Sequence, residues 1–252
     1  MSAKMPLLDE CSRLERRPGS VQGFRVAEPA PVVFRNARRD QSSISSGLER
    51  KVLTWLARRI PAGVNSDHLT LLGFIAMLLV GVSYALARWS PLGLILATFF
   101  LALNWFGDSL DGTLARVRNR QRPRYGFYVD HMLDVFGALF LTSGLAASGY
   151  IDWRIAAGML LAFLMLSIEV YLATYTLGVF RLSFCKFGPT EIRILLAVGN
   201  TALWLKPHAR VLAFGYRLFD FGGCIAIAVM AILLIATTLM HTIRLYREER
   251  LP

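Results

Sequence analysis

Six apolar runs, at residues 68–89, 91–110, 127–148, 153–180, 190–206 and 218–243, fill most of the chain beyond residue 67. A helix of about 20 apolar residues is what a bilayer's hydrocarbon core requires. Lipid offers the backbone no hydrogen-bond partners, so spanning segments are confined to helices or closed barrels. Runs this long predict helices. The expected fold class is all-α, a polytopic membrane protein with six transmembrane helices. The fifth run fits least well, because Glu191 and Arg193 lie inside its start.

Ahead of the first run, residues 45–60 place Leu48, Val52, Leu53, Leu56 and Ile60 on one helical stripe, with Lys and Arg opposite. That pattern predicts an interfacial amphipathic helix; the alternative is a helix packed on a small soluble unit. Residues 1–44 mix Pro, Arg and Ser with short apolar pieces and no period. They are expected to form a partly disordered cytoplasmic extension, leaving 45–252 as the membrane domain. No apolar stretch near the N-terminus resembles a cleaved signal peptide.

The chain carries a net charge of +11. Its arginines flank apolar segments and do not line a soluble face, which argues for anionic lipid and against nucleic acid. The connections at 116–124 and 181–187, like both ends of the chain, are rich in Arg and Lys. Those at 87–91 and 148–154 are less basic, while 206–217, with Lys206, Arg210 and Arg217, blurs the contrast. The positive-inside rule therefore predicts cytoplasmic termini in a cytoplasmic (inner) membrane. Cys11, Cys185 and Cys224 lack metal-type spacing and read as plain thiols.

Within this apolar chain, four aspartates stand out: Asp108, Asp111, Asp130 and Asp134. Asp108, Asp111, Gly112 and Ala115 fall at i, i+3, i+4 and i+7, so they share one helix face. Gly126, Asp130 and Asp134 repeat the arrangement on the next helix. An aspartate at membrane depth costs about 2.5–3.5 kcal/mol on insertion scales, so four need compensation. Arg116 lies within reach but neutralises only one of them. Hard oxygen ligands favour magnesium, manganese or calcium. Helix-end carboxylates snorkelling to the loop arginines are the bland alternative.

The stretch "DSLDGTLAR", nine residues, then "GFYVDHMLD" resembles the signature of the CDP-alcohol phosphotransferase (CDP-alcohol phosphatidyltransferase) family. All its positions are present: Asp108, Asp111, Gly112, Ala115, Arg116, Gly126, Asp130 and Asp134. The resemblance extends over about residues 45–246. It implies an enzyme that transfers the phosphoryl-alcohol half of a CDP-linked substrate to a second alcohol and releases CMP. It implies a two-metal site for Mg2+ or Mn2+ held by Asp108, Asp111, Asp130 and Asp134, with Asp134 also the catalytic general base. Gly112, Ala115, Arg116 and Gly126 would contact CDP or its phosphates, as would Asp67 and Thr70 in the stretch that opens the first run. The proline that the family usually has before Asp67 is Ser66 here, so an N-cap role for Ser66 or Asp67 stands beside the functional one.

Glu191 and Arg193 are candidates for acceptor or phosphate contact, or else for an internal ion pair. Glu169 reads equally as a packing or a site residue. His131 points about 100° away from the acidic stripe and reads as support. Arg118, Arg120, Arg122 and Arg124 read mainly as topology and headgroup contacts. The resulting expectation is a membrane phosphotransferase of phospholipid biosynthesis, its site facing the cytoplasm. It would use CDP-diacylglycerol and a small polar alcohol, and the resemblance extends to a homodimer. Two rivals stand: a CDP-choline or CDP-ethanolamine transferase acting on diacylglycerol, and a metal-ion or proton-coupled transporter. The second would need repeats or a second acidic cluster, and neither is visible.

Overall fold

A computed structural model describes residues 46–177, 189–206 and 216–249, with side chains from residue 51. Residues 1–44, Leu48's side chain, Cys11 and Cys185 lie outside the described part. Cys224 is an exposed free thiol. The regular elements are α1 Ser46–Arg59, α2 Ser66–Leu86, α3 Leu92–Val117, α4 Pro123–Ser148, α5 Trp153–Leu177, α6 Pro189–Leu205 and α7 Leu218–Glu248. The described chain is all-helical, as its apolar runs predict. Helices α2, α3, α4, α5 and α7 are long and apolar enough to cross a membrane, which makes this an integral membrane protein. Helix α6 has 17 residues, roughly 26 Å at 1.5 Å per residue, and falls short of a ~30 Å core.

Helix α3 continues well past residue 110, and α4 begins at Pro123 rather than 127. The aspartates therefore sit inside continuous helices and not at frayed ends. Proline at the first helical position has no amide that needs a partner and a φ already suited to a helix. Asn119 turns the corner between α3 and α4 at φ 53°, a left-handed conformation that asparagine tolerates better than most residues.

Helix α2 is the hub, packed against both α3 and α4. Close approach explains how. A Cβ added to Gly107 would lie 2.7 Å from the Gly73 nitrogen, and one added to Gly81 would lie 2.5 Å from the Phe140 carbonyl oxygen. Between helices in lipid there is little hydrophobic drive, so backbone contact at small residues supplies packing that larger side chains would prevent. Helices α5 and α7 pack on one another, while Leu161, Met165 and Ile168 of α5 and Ile232, Ile235 and Leu239 of α7 stay exposed.

Helix α1 packs on the end of α3. Leu53 and Ala57 are buried with Leu69, Leu110 and Leu114, and Leu56 and Ile60 pack against that cluster. Burying a leucine from water contributes about 1.5–3 kcal/mol. Val52 and Trp55 remain exposed, with the Arg59 guanidinium 3.7 Å from the centre of the Trp55 ring. The helix thus packs on the membrane bundle itself and leaves a second apolar edge outward. Arg118 fastens the linker: Nη1 donates to the Val64 carbonyl, and Nη2 donates to those of Ile60 and Pro61 at 2.9 Å each. This revises the expectation for the arginine run, since Arg118 serves the fold.

Candidate active site

The two acidic stripes meet. At the bundle end that carries the α3–α4 turn, Asp108 and Asp111 of α3 and Asp130 and Asp134 of α4 line one pocket. Thr70 of α2 and Arg193 of α6 complete its polar wall, and Phe74 and Met77 make its apolar floor. Asp108, Asp111 and Asp130 are half-buried, whereas Asp134 is exposed. The close approach of α2 and α3 at Gly73 and Gly107 is what brings Thr70 to Asp111: its Oγ1 donates to Asp111 Oδ2 at 2.7 Å. The Gly112 amide donates to the other oxygen of the same carboxylate.

Asp108 faces α6. Arg193 Nη2 donates to its Oδ2 at 2.7 Å, and Arg193 Nε donates to Asn104 Oδ1 at 2.9 Å. Asn104 in turn donates from Nδ2 to the Gly73 carbonyl at 3.0 Å. The side chains of Arg193 and Asp108 are 16% and 32% exposed, enough shielding to make their attraction stronger than a surface pair's. Arg193 therefore supplies countercharge in the pocket. Arg116, the arginine expected there, donates from Nη2 to Thr113 Oγ1 at 3.0 Å and does not line it.

The remaining expected residues lie around this centre. Gly112 and Gly126 are outside the pocket lining. A Cβ on Gly126 would meet nothing within 4 Å, and one on Gly112 only Arg116 Nη1 at 3.6 Å. That leaves open space beside the acidic stripes. Asp67 is exposed and paired with Arg122, whose guanidinium lies 4.2 Å from the Tyr125 ring centre. Asp67's hydrogen bond raises the Arg122 pKa. Helix α2 takes its N-cap from Asn65, not from Ser66 or Asp67. Glu191 is half-buried in the first turn of α6, outside the pocket lining.

Two side residues resolve into structural roles. Glu169 Oε1 lies 2.6 Å from His241 Nδ1, joining α5 to α7. His131 is buried, its Nδ1 lies 2.6 Å from the Phe127 carbonyl, and the Tyr171 hydroxyl donates to the His131 carbonyl at 3.4 Å. It thus bonds within α4 and touches α5, outside the pocket lining. Asn104 was missed by sequence reasoning, although an amide four residues before Asp108 in an apolar helix is a legible signal.

Four carboxylates against one guanidinium leave the pocket lining with surplus negative charge. All its ionisable acceptors are hard oxygens, the donor type that suits Mg2+ or Mn2+. By donor chemistry the residues fit a divalent cation. Their side chains are not yet gathered around one: among the described residues no group of three or more His, Cys, Asp or Glu stands at metal-ligating spacing. Asp108 is turned to Arg193, and Asp111 to Thr70 and Gly112.

Comparison with known proteins agrees with the geometry. The sequence profile of the CDP-alcohol phosphatidyltransferase family matches residues 64–245. Archaetidylinositol phosphate synthase of Pyrococcus horikoshii is 30% identical over 105 residues, which is 42% of this chain and 53% of that protein. The match thus spans about half the length of that curated relative.

Proposed function

The chain belongs to the CDP-alcohol phosphatidyltransferase family, and from that premise we propose that it moves the phosphatidyl group of CDP-diacylglycerol to a small polar alcohol. The products are a phospholipid and CMP. The observation that carries this reading is the convergence of Asp108, Asp111, Asp130 and Asp134 in one pocket with Thr70 and Arg193. A transporter reading gains nothing from an acidic pocket at one end of the bundle.

In this reading the four aspartates hold Mg2+ or Mn2+ in a two-metal site. Such ions, when bound, neutralise the diphosphate and polarise the attacked phosphorus. Asp134, the most exposed of the four, accepts the proton of the acceptor hydroxyl as that oxygen bonds to the phosphatidyl phosphorus. The phosphoanhydride bond breaks, and its electron pair leaves on the CMP phosphate. Arg116 pairs with nucleotide phosphate, a contact suited to the planar guanidinium. The open space beside Gly112 and Gly126 admits the nucleotide along Ala115, with Asp67 and Thr70 at its edge. Glu191 and Arg193 contact the acceptor.

The Pyrococcus relative is, by name, a synthase of archaetidylinositol phosphate. A phosphorylated inositol is accordingly the first acceptor to try, and Arg193 in the pocket suits a phosphate. Helix α6, though shorter than the average hydrocarbon core, crosses as a sixth span where the bilayer thins locally, α1 lies at the lipid interface, and the protein works as a homodimer. Both termini and the site face the cytoplasm, where the basic α3–α4 turn belongs.

The deciding assay offers purified protein CDP-diacylglycerol with inositol phosphate, glycerol phosphate, serine, inositol or choline, and measures CMP. CMP release that depends on one of these alcohols is expected. Turnover only with CDP-choline or CDP-ethanolamine and diacylglycerol would overturn the donor assignment. Orientation is tested by a cysteine at exposed Arg120 in a cysteine-free background, a better position than Asn119 with its left-handed backbone. It should react with an impermeant thiol reagent only after the membrane is opened; labelling in intact cells would reverse the topology.

A further inference from the structure

We propose that Arg193 is an internal stand-in for the cation at Asp108, displaced when the cation binds and thereby freed to receive a phosphate oxygen. The proposal rests on the metal reading of the pocket given above. Its observation is the pairing itself: the guanidinium that neutralises Asp108 comes from another helix and is held by two hydrogen bonds of 2.7 and 2.9 Å. A pocket lined by four carboxylates favours positive charge whether or not metal is present, because gathered carboxylates repel one another. Arg193 supplies part of that charge at Asp108. A guanidinium on Asp108 Oδ2 and a cation at the same carboxylate compete for its lone pairs and repel one another as like charges.

Asn104 gives the exchange a defined end-point. It is 8% exposed, is tied by Nδ2 to the Gly73 carbonyl, and accepts from Arg193 Nε. When Asp108 lets go of Nη2, the Nε bond keeps the arginine at the pocket wall. Its terminal nitrogens then face the space where phosphate is to be bound. A guanidinium has five N–H donors in a fixed fork, so one anchored edge leaves the other for an oxyanion. Asn104 acts here as a positioning residue, working through Arg193. The arrangement also imposes an order in which the cation comes before the phosphate, since Arg193 is occupied until Asp108 is taken.

Two measurements on the purified full-length protein test this without turnover. Mn2+ binding, read from the loss of the free-ion electron paramagnetic resonance signal, should be about tenfold tighter in Arg193→Gln than in wild type. That is the size of an ordinary coupling between two ligands of one site. Arg193→Lys keeps a charge but loses the fork, and should fall between the two. In wild-type protein, which needs no variant to fold, the rate of phenylglyoxal modification of Arg193, followed by peptide mass spectrometry, should rise when Mn2+ is added. Inorganic phosphate added after Mn2+ should lower that rate again, and phosphate without Mn2+ should not change it. Mn2+ that binds while Arg193 modification stays constant would overturn the exchange and leave the metal site standing. Failure to bind Mn2+ at all would overturn both.

Discussion

Helices α2, α3 and α6 carry two polar clusters, one toward each end, and the two obey opposite rules. Toward the far end from the α3–α4 turn, the Tyr84 hydroxyl donates to Asn200 Oδ1 at 2.9 Å, and Asn200 Nδ2 donates to Thr98 Oγ1 at 3.1 Å. Tyr84 and Asn200 are 0% and 1% exposed, and the cluster is neutral. At the other end, Asp108 and Arg193 stay partly open, and four carboxylates and one arginine line the same pocket. Polar groups that satisfy one another inside a membrane protein join helices. Polar groups left with surplus charge need something from outside, and that need is what a binding site consists of.

The largest effect that would sharpen this contrast is loss of an acid. Asp108→Ala, Asp111→Ala or Asp130→Ala should lower CMP release by on the order of 10³-fold or more, since each removes a hard donor next to the reacting phosphates. Asp108→Ala should also unfold earlier in detergent than wild type, because it leaves the shielded Arg193 guanidinium without its carboxylate. Activity that survives any of these three would return the aspartates to the bland reading of solvated helix ends. Stripping divalent ions with a chelator should abolish turnover as completely, with Mg2+ or Mn2+ restoring it; full turnover in chelator after stripping would end the metal reading.

How far the sequence could carry this depends on distance along the chain. The acidic stripes follow from spacings of three and four residues on one helix, which are local facts, and the pocket unites the four as those spacings require. The hub formed by Gly73 with Gly107 and by Gly81 with the Phe140 carbonyl was not legible, since a glycine in a run of leucines does not say which helix it touches. The Arg193–Asp108 pair joins residues 85 apart, and Arg118's hold on the Ile60 and Val64 carbonyls is equally remote. Arg116 was within reach of the acidic face by spacing, and Arg193 was a candidate for an internal ion pair, but spacing could not say that its partner is Asp108. The sixth span was inferred from apolarity, but the helix it forms starts beside Glu191 and is only 17 residues long. The two acidic stripes on successive helices were readable because each is local; which glycines touch and which carboxylate Arg193 answers were not.

Next in size is Asp134. A general base acts in the chemical step, so Asp134→Asn should lower turnover by about 10²–10⁴-fold while weakening CDP binding much less. Single-turnover rates and nucleotide affinity, measured on one preparation, separate the two. Near wild-type turnover would remove the base assignment, and equal losses in both would make Asp134 a binding residue like its neighbours.

At the neutral cluster the effects belong to stability. Asn200→Leu leaves the Tyr84 hydroxyl and Thr98 without their shared partner, at a cost of about 1–3 kcal/mol for the buried polar groups left behind. Denaturant titration in detergent should register this, while CMP release per folded molecule stays within about twofold of wild type, the scatter expected for independent sites.

The smallest effect, and the finest test, is Tyr84→Phe. It removes one donor from a buried pair and leaves the ring in place against Phe219, so packing changes little. Asn200 keeps its bond to Thr98 and loses only the one to the hydroxyl. Hydrogen bonds between membrane helices average about 0.6 kcal/mol in double-mutant cycles, because the unfolded chain in the membrane also finds partners. A loss of that order is expected, with turnover unaltered. A Tyr84→Phe/Asn200→Leu cycle would show whether the two residues act as one unit, since neighbours that share a hydrogen bond should be non-additive. If Tyr84→Phe instead reduced CMP release as an aspartate variant does, the two clusters would be coupled along α2 and α6. The neutral end would then belong to the site rather than to the scaffold.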